Sequence, residues 1–460
     1  MTPAHIVTDE SIRLTFARDV SGLEMLPEAV ARPTSEQEVA EILRQAHAER
    51  TAVTCAGGQT STTGASITDQ GIILALRGLD GIIDLDERAK TVRVRAGTWL
   101  GELKRRLASS GYLFPPDPTS EDDVTIGGAV ACNASGARSL RYGPMRPHVL
   151  ALRVALANGD VIDVRRTGLE KNTAGYAIAQ EPVDWFVGSE GTLGVILEAE
   201  LALEPLPRRV TGLGIPFPTE SEALAFVVAA RESRALSPRC LEFFDARAFA
   251  IARSARGDEQ WASNAAALVY AEEAPAGGSD DEPPLDEWLA LAAQHGARDD
   301  DVLAFDGESA LRDARQMRHA VPATMNERGA SYRTAGGRKV STDWAVPYRR
   351  LDEAIHSARR LANDAGIEQA VTYGHAGNGH PHQNFVARDS GELARIERVV
   401  EATLRGVIAL GGTVSAEHGI GKLKRRWLPL QLHPTQLGVM RAVKRELDPL
   451  GILAPGNVFE

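Results

Sequence analysis

Cysteine is scarce: Cys55, Cys132 and Cys240 are the only three in 460 residues, and no two form a CxxC pair. That excludes a disulfide framework and a cysteine-built zinc or iron–sulfur site, and it fits a reducing compartment. Long apolar runs are missing too. No stretch of about 18 apolar residues occurs, and Met1–Glu10 lacks the basic-then-apolar pattern of a secretory leader. The expectation is a cytoplasmic protein, with peripheral contact at the inner face of a membrane left open. Positive charge is in deficit, with 51 Lys and Arg against 62 Asp and Glu and a formal net charge of −11. A nucleic-acid binder would carry a basic face, so nucleic acid is not expected as a partner. No internal repeat and no coiled-coil heptad is present.

What remains is an ordinary soluble composition, 43% hydrophobic and 25% charged, in a chain long enough for two or three domains. Glycine is plentiful, 43 residues, and it gathers in loops bordered by strand-like runs. A helix is expected after Pro33, capped by Thr34 or Ser35 with Glu38 and facing inward through Val39, Ile42, Leu43 and Ala46. Ala52–Cys55 then reads as a buried strand entering Gly57-Gly58-Gln59-Thr60-Ser61. This loop is neither a Walker A loop nor a GxGxxG turn. Glycines there would let backbone N–H groups crowd an anion. Further strands are expected at Ile72–Leu76, Gly81–Asp84 and Thr91–Ala96, followed by a helix capped by Thr98 and ending at Gly111. Pro115-Pro116-Asp117-Pro118 fixes an extended loop. A second small-residue segment runs from Thr125 to Gly136 and on to Tyr142-Gly143, before a strand at Leu150–Leu156 and a hairpin turn at Asn158-Gly159. The third is Gly188-Ser189-Glu190-Gly191-Thr192-Leu193-Gly194. Three such loops together suit a long ligand carrying a pyrophosphate and flat rings.

The character changes near Pro205–Arg209. Helical patterns at Glu222–Arg231 and Leu351–Leu361 alternate with strand-like Ala266–Tyr270. Ala274–Pro284 is rich in breakers and reads as an exposed loop. The most concentrated chemistry follows, in Tyr373-Gly374-His375-Ala376-Gly377-Asn378-Gly379-His380-Pro381-His382-Gln383-Asn384. Three of the chain's 11 histidines fall here, and His418 comes in Ser415-Ala416-Glu417-His418-Gly419. Imidazole is both the commonest metal ligand and the usual general base near neutral pH. The alternative is a glycine-rich hairpin with surface histidines. The tail, Leu447–Asn457, is apolar enough to dock onto another domain.

The order of these pieces resembles the vanillyl-alcohol-oxidase-type FAD oxidases, with their PCMH-type flavin domain. The motifs are Gly57–Ser61, Pro116–Pro118, Ile126–Gly128, Asn133–Gly136, Tyr142-Gly143 and Gly188–Gly194. Later segments, Ser341–Pro347, His375–His382, Gly412–Lys422 and Asp448–Gly456, resemble the D-lactate dehydrogenase, glycolate oxidase and D-2-hydroxyglutarate dehydrogenase branch. The resemblance implies an α+β fold: a two-subdomain FAD domain over 1–206, a cap or substrate domain with an antiparallel sheet and the metal site over 207–420, and a return to the FAD domain over 421–460. It also implies contacts to FAD from Gly57, Gly58, Gln59, Thr60, Ser61, Pro118, Gly127, Gly128, Asn133, Ser135, Gly136, Tyr142, Gly143, Glu190, Gly191, Gly194, Ile196 and Asn457.

By the same resemblance, His375, His382 and Glu417 bind a divalent metal, zinc or manganese, and His418 is the base. Arg318 meets the substrate carboxylate, unless it is a solvated helix arginine. Asn384, two residues past His382, is placed to reach either the substrate carboxylate or the metal water. The implied reaction is oxidation of a D-2-hydroxy acid, with electrons leaving to a quinone, a cytochrome or an electron-transfer flavoprotein. Alternatives are a non-redox transferase of the alkyl-glycerone-phosphate synthase type or a flavin subunit of a larger oxidase complex. A homodimer is left open.

The chain departs from the branch where Gly-Asp-Gly-Asn-x-His is usual. Asn378 stands for the Asp and His380 for the Asn. His380 is then either a substrate contact or a structural donor. Ala56 and Ala129 replace an arginine and an asparagine common in the flavin loops. No histidine follows Gly57-Gly58 where flavin would attach, so noncovalent FAD is expected.

Overall fold

The helix Glu36–Glu49 is built from its local signals. The Ser35 hydroxyl accepts the Glu38 N–H at 3.3 Å, Glu38 reaches back to the Thr34 N–H at 2.7 Å, and Val39, Ile42, Leu43 and Ala46 are buried on one face. The cap expected at Thr98 does not form. Trp99 holds the N-cap position of the helix Leu100–Ser109 and makes no side-chain cap bond. The Thr98 hydroxyl accepts the Gly81 N–H at 2.9 Å instead, just ahead of the strand Ile82–Asp86. A longer-range partner has outcompeted the local one.

The computed structural model describes residues 6–275 and 282–459. Most of the exposed loop expected at Ala274–Pro284 lies outside the described residues. The chain divides into two units, of which the first comprises Met1–Ser135, Gly143–Leu206 and Glu417–Glu460. One of its sheets orders the strands Ile6–Val7, Ala29–Ala31, Ile72–Ala75 and Val53–Ala56, the last three mutually parallel. The apolar tail docks on this sheet. The Val53 N–H bonds the Ile452 carbonyl at 2.8 Å, the Ala454 N–H bonds the Val53 carbonyl at 2.8 Å, and Ile452 and Leu453 enter the core with Leu43 and Leu74. The other sheet is antiparallel, ordered Ile82–Asp86, Thr91–Arg95, Val195–Ala202, Val149–Ala155 and Val161–Arg165. It covers a separate core of Val94, Leu103, Phe114, Leu152 and Phe186. The two larger sheets, each over its own main core, make this unit the expected two-subdomain α+β architecture.

The second unit comprises Gly136–Tyr142 and Pro207–Ala416. The short segment sorts here and not with 1–206 because its arginines bond within this unit. Arg138 forks onto Glu272 at 3.0 and 3.3 Å, and Arg141 bonds the Ala274 carbonyl at 2.7 Å. The unit is organised on one antiparallel sheet of strands β1 (Thr211–Phe217), β2 (Pro238–Asp245), β3 (Ala267–Glu273), β4 (Leu303–Asp306), β5 (Gly336–Ser341), β6 (Val371–His375) and β7 (His380–Asp389), ordered β4-β1-β3-β2-β6-β7-β5. The helix Gly307–Ala330 packs Leu311, Ala314, Met317, Val321 and Met325 with Cys240, Phe244, Tyr270 and Tyr373 of the strands.

Candidate active site

In the first unit, the parallel strand Val53–Ala56 delivers the chain into Gly57–Ser61. A Cβ on Gly58 would stand 1.7 Å from the Asp123 carbonyl oxygen, and one on Gly57 would stand 2.2 Å from the Thr125 hydroxyl. These glycines let two loops lie backbone to backbone. Gly127 and Gly194 are likewise packing positions, where a Cβ would meet Ala96 at 2.8 Å and Val154 at 2.5 Å. Gly128 differs, since its nearest neighbour would be Thr125 at 3.4 Å.

Each of the three loops also carries one non-glycine residue in the left-handed region: Gln59 at φ 58°, Asn133 at φ 50° and Glu190 at φ 52°. This backbone is sparsely populated and persists where surrounding structure holds it. Here the side chains do so. Gln59 donates to the Arg18 carbonyl at 3.0 Å, Asn133 accepts the Arg146 N–H at 2.9 Å, and Glu190 accepts the Ile420 and Gly421 N–H groups at 2.6 Å each. The last pair of bonds ties the segment from Glu417 onward to this unit. Burial raises the Glu190 carboxyl above its ordinary value, opposed by those two N–H groups. Asn457 donates to the carbonyls of Ala65 at 2.8 Å and Glu190 at 3.2 Å and accepts from Lys422 at 2.7 Å. Its side chain is a clamp between loops.

The remaining flavin candidates are scattered. The Ser61 hydroxyl accepts the Thr63 and Ala65 N–H groups at 3.2 and 3.1 Å, while neighbouring Thr60 is half-buried. Pro118 is buried, Ser135 is half-buried, and Gly143 and Gly191 turn at φ 79° and 75°. Ile196 is a core residue of the antiparallel sheet. Gly136 and Tyr142 belong to the second unit, where Arg141 and Arg239 lie 5.9 and 6.0 Å from the Tyr142 ring. The cradle of small residues and fixed left-handed turns fits a flat, phosphate-bearing cofactor.

In the second unit, sheet register assembles the histidines. His375 pairs with His380 across the β6–β7 hairpin and Tyr373 pairs with His382. Gly379, at φ 69°, makes the turn. On β7, His380, His382 and Asn384 are two apart, so all three leave the same face, and His375 joins them from across the pair. All four are buried. The Asn384 amide donates to the His382 carbonyl at 3.0 Å, while its Oδ1 is buried with no hydrogen-bond partner. An orphaned buried acceptor beside three imidazoles calls for a donor that the chain itself does not supply.

The sequence did not reveal His375's chief partner. Glu242 of β2 accepts from His375 Nδ1 at 2.6 Å and from Arg318 Nε at 3.1 Å. Burial alone would raise its carboxyl, but His375 and Arg318 outweigh burial and hold it at about 2. The ionised carboxylate places the His375 proton on Nδ1 and turns the Nε2 lone pair outward, with Arg318 Nη2 3.4 Å away. Arg318 is therefore an ion-paired, largely buried arginine and not a solvated one. A lone glutamate within the apolar run Cys240–Phe244 was the available signal, since a buried charge needs a partner. His380 Nε2 stands 3.1 Å from Asp343 Oδ1, and Asp343 Oδ2 accepts from Ser415 at 2.8 Å. Glu417 and His418 fall in the first unit, half-buried, with the His418 carbonyl accepting from Thr63 at 3.4 Å.

The family of FAD linked oxidases, C-terminal domain, matches residues 206–458, more than half of the chain. The chain belongs to the FAD-linked oxidases. A second family, the FAD binding domain, matches residues 27–165 and takes in the first two glycine loops. Relatives within the family extend over nearly the whole sequence. D-lactate dehydrogenase of Archaeoglobus fulgidus is 35% identical over 434 residues, 93% of this chain and 90% of that one. Mitochondrial D-2-hydroxyglutarate dehydrogenase of Bos taurus is 31% identical over 464 residues, 99% of this chain and 81% of that one. Glycolate oxidase subunit GlcD of Bacillus subtilis is 30% identical over 457 residues, 97% and 92% of the two. Solved structures of alkyldihydroxyacetonephosphate synthase (TM-score 0.73, 18% identity, 99% of this chain and 82% of that one) and p-cresol methylhydroxylase (0.73, 14%, 99% and 93%) share the fold. Among the described residues, no helix is long and apolar enough to cross a membrane.

Proposed function

We propose that this FAD-linked oxidase is a metal-dependent dehydrogenase of D-2-hydroxy acids, of the D-lactate, glycolate or D-2-hydroxyglutarate class, yielding the 2-oxo acid. The observation that carries the reading is the buried histidine face of the second unit, with Glu242 orienting His375 and Asn384 presenting an unpartnered acceptor. Such a face suits a chelating hydroxy acid, whose carboxylate and hydroxyl oxygens sit on adjacent carbons. Noncovalent FAD would supply the hydride acceptor at N5, and a divalent metal, zinc or manganese, the Lewis acid that eases hydroxyl ionisation. His375, His382 and Glu417 would hold that metal. His418 takes the hydroxyl proton as general base. Arg318, anchored through Nε on Glu242, turns its guanidinium edge to the substrate carboxylate. Asn384 Oδ1 accepts a hydrogen bond from the substrate. The glycine loops, with Gly128 and the left-handed turns at Gln59, Asn133 and Glu190, hold the cofactor. The reduced enzyme passes electrons to a quinone, a cytochrome or an electron-transfer flavoprotein, in the cytoplasm or at the inner face of the membrane, as a monomer or a homodimer.

The test is anaerobic mixing of the FAD- and metal-loaded protein with a panel of D- and L-2-hydroxy acids. Bleaching of the visible flavin band by a D-acid is expected. If no member of the panel bleaches it, the reading fails in favour of a non-redox transferase or a flavin subunit of a larger complex.

A further inference from the structure

His380 has the geometry of a ligand as well as that of a structural donor. It stands opposite His375 across the hairpin and two residues before His382 on β7, so the three rings share one buried face. Ring centroids are 5.4 Å apart for His375–His380, 5.4 Å for His375–His382 and 4.7 Å for His380–His382. One ligand nitrogen from each ring lies within 4.8 Å of the others. Nitrogens bound tetrahedrally at the usual zinc distance stand about 3.3 Å from one another, so side-chain adjustments on the order of an ångström close the set. Each outer nitrogen has a carboxylate beside it: Glu242 takes His375 Nδ1 at 2.6 Å, and Asp343 Oδ1 lies 3.1 Å from His380 Nε2, where a small turn of the ring brings the two into line. Metal-ligating imidazoles characteristically donate their other nitrogen to a carboxylate, which fixes tautomer and ring orientation. A purely structural His–Asp pair has no need of two further imidazoles packed against it.

We propose that His380, presenting Nδ1 while Asp343 holds Nε2, is a third imidazole ligand to the divalent metal. His375, His380 and His382 then supply three nitrogens to the set that Glu417 completes. The proposal rests on the metal reading above and narrows it. A third imidazole beside Glu417 makes the set predominantly nitrogen, which suits zinc, cobalt and copper better than manganese, so zinc is selected over manganese.

The experiment uses the full chain with FAD, stripped of metal by a chelator and reloaded with zinc, manganese, cobalt or copper ions. Zinc affinity is read by competition with a chromophoric chelator, and His380→Asn is compared with the parent protein. The expected result is a zinc affinity at least 10-fold weaker, a smaller zinc-over-manganese preference and an altered cobalt d–d spectrum, with the flavin spectrum and Tm retained. Parental affinity and an unchanged cobalt spectrum in H380N would overturn the proposal and leave His380 as Asp343's partner. If H380N does not fold, pulsed EPR of the copper-loaded parent counts imidazoles directly. Three support the assignment and two overturn it. A parent that binds none of these metals sinks the metal reading itself, which distinguishes that failure from failure of His380 alone.

Discussion

In the first unit, Gly57, Gly58 and Gly127 hold their loops by having no side chain, and Gln59, Asn133 and Glu190 fix left-handed turns with short bonds to distant backbone. The second unit works the other way. Its backbone is plain antiparallel sheet, and the chemistry sits in side chains that register brings together: Glu242 from β2, His375 from β6, His380 and His382 from β7. A cofactor many times larger than a water molecule is held best by backbone, which offers many N–H groups over a long path. The metal and small acid proposed for the histidine face need a few strong donors at fixed points, and the side chains of this sheet offer them. The two regions should therefore fail differently, one losing its cofactor and the other losing chemistry with the cofactor in place.

The sharpest contrast comes from His375→Ala or His382→Ala. Turnover should be abolished while the visible flavin spectrum and FAD stoichiometry persist; loss of flavin along with turnover would break the distinction. Gly58→Val should do the reverse, because its Cβ has no room beside the Asp123 carbonyl. Expected are protein purified without yellow colour and a lowered Tm, read by absorbance and calorimetry. A step smaller, Glu242→Ala leaves Arg318 buried without its partner, at a cost of about 3–5 kcal/mol in unfolding free energy. It also frees His375 to rotate and should weaken metal binding about 10–100-fold, measured by denaturant titration and chelator competition.

The smallest effect concerns pH. Burial raises the Asp245 carboxyl from 3.8 to about 6, partly offset by the Ala248 and Thr372 N–H groups. The folded state then binds the proton more tightly than the unfolded one. That stability is fully present below about pH 4 and is lost as pH rises towards 6, a change of about 3 kcal/mol. Asp245→Asn should flatten this limb in Tm-against-pH profiles. Glu272 has the opposite sign. Burial would raise it, but Arg138 and Arg239 hold it at about 2, so its contribution is present above pH 4.5 and lost as pH falls.

Legibility in the sequence followed the same division. The glycine loops, the Ser35 cap and the turn at Gly159 are contiguous signals, and each reads locally. What the loops concealed was why a glycine is there. Gly194 and Gly128 are the same letter, yet a Cβ on one would strike Val154 at 2.5 Å while the other's nearest obstacle would be 3.4 Å away. For the histidine face, the cluster was legible but the strand was not: the two-residue spacing of His380, His382 and Asn384 acquires its meaning only once β7 forms. That Glu242, 133 residues earlier, would bond His375 depends on which strands become neighbours, and no local pattern encodes it. Thr98 failed as a cap for the same reason.

The discontinuity of the first unit has a consequence for how the molecule is made. Its left-handed Glu190 is tied to Ile420 and Gly421, and the strand Val53–Ala56 is bonded to Ile452 and Ala454 near the very end of the chain. A nascent chain lacks those partners until the long insertion Pro207–Ala416 has been made, and the insertion can complete its own sheet first. Flavin capture then waits on residues made after the insertion, and ending the chain before Ile452 should yield a colourless protein whose inserted unit is nevertheless folded.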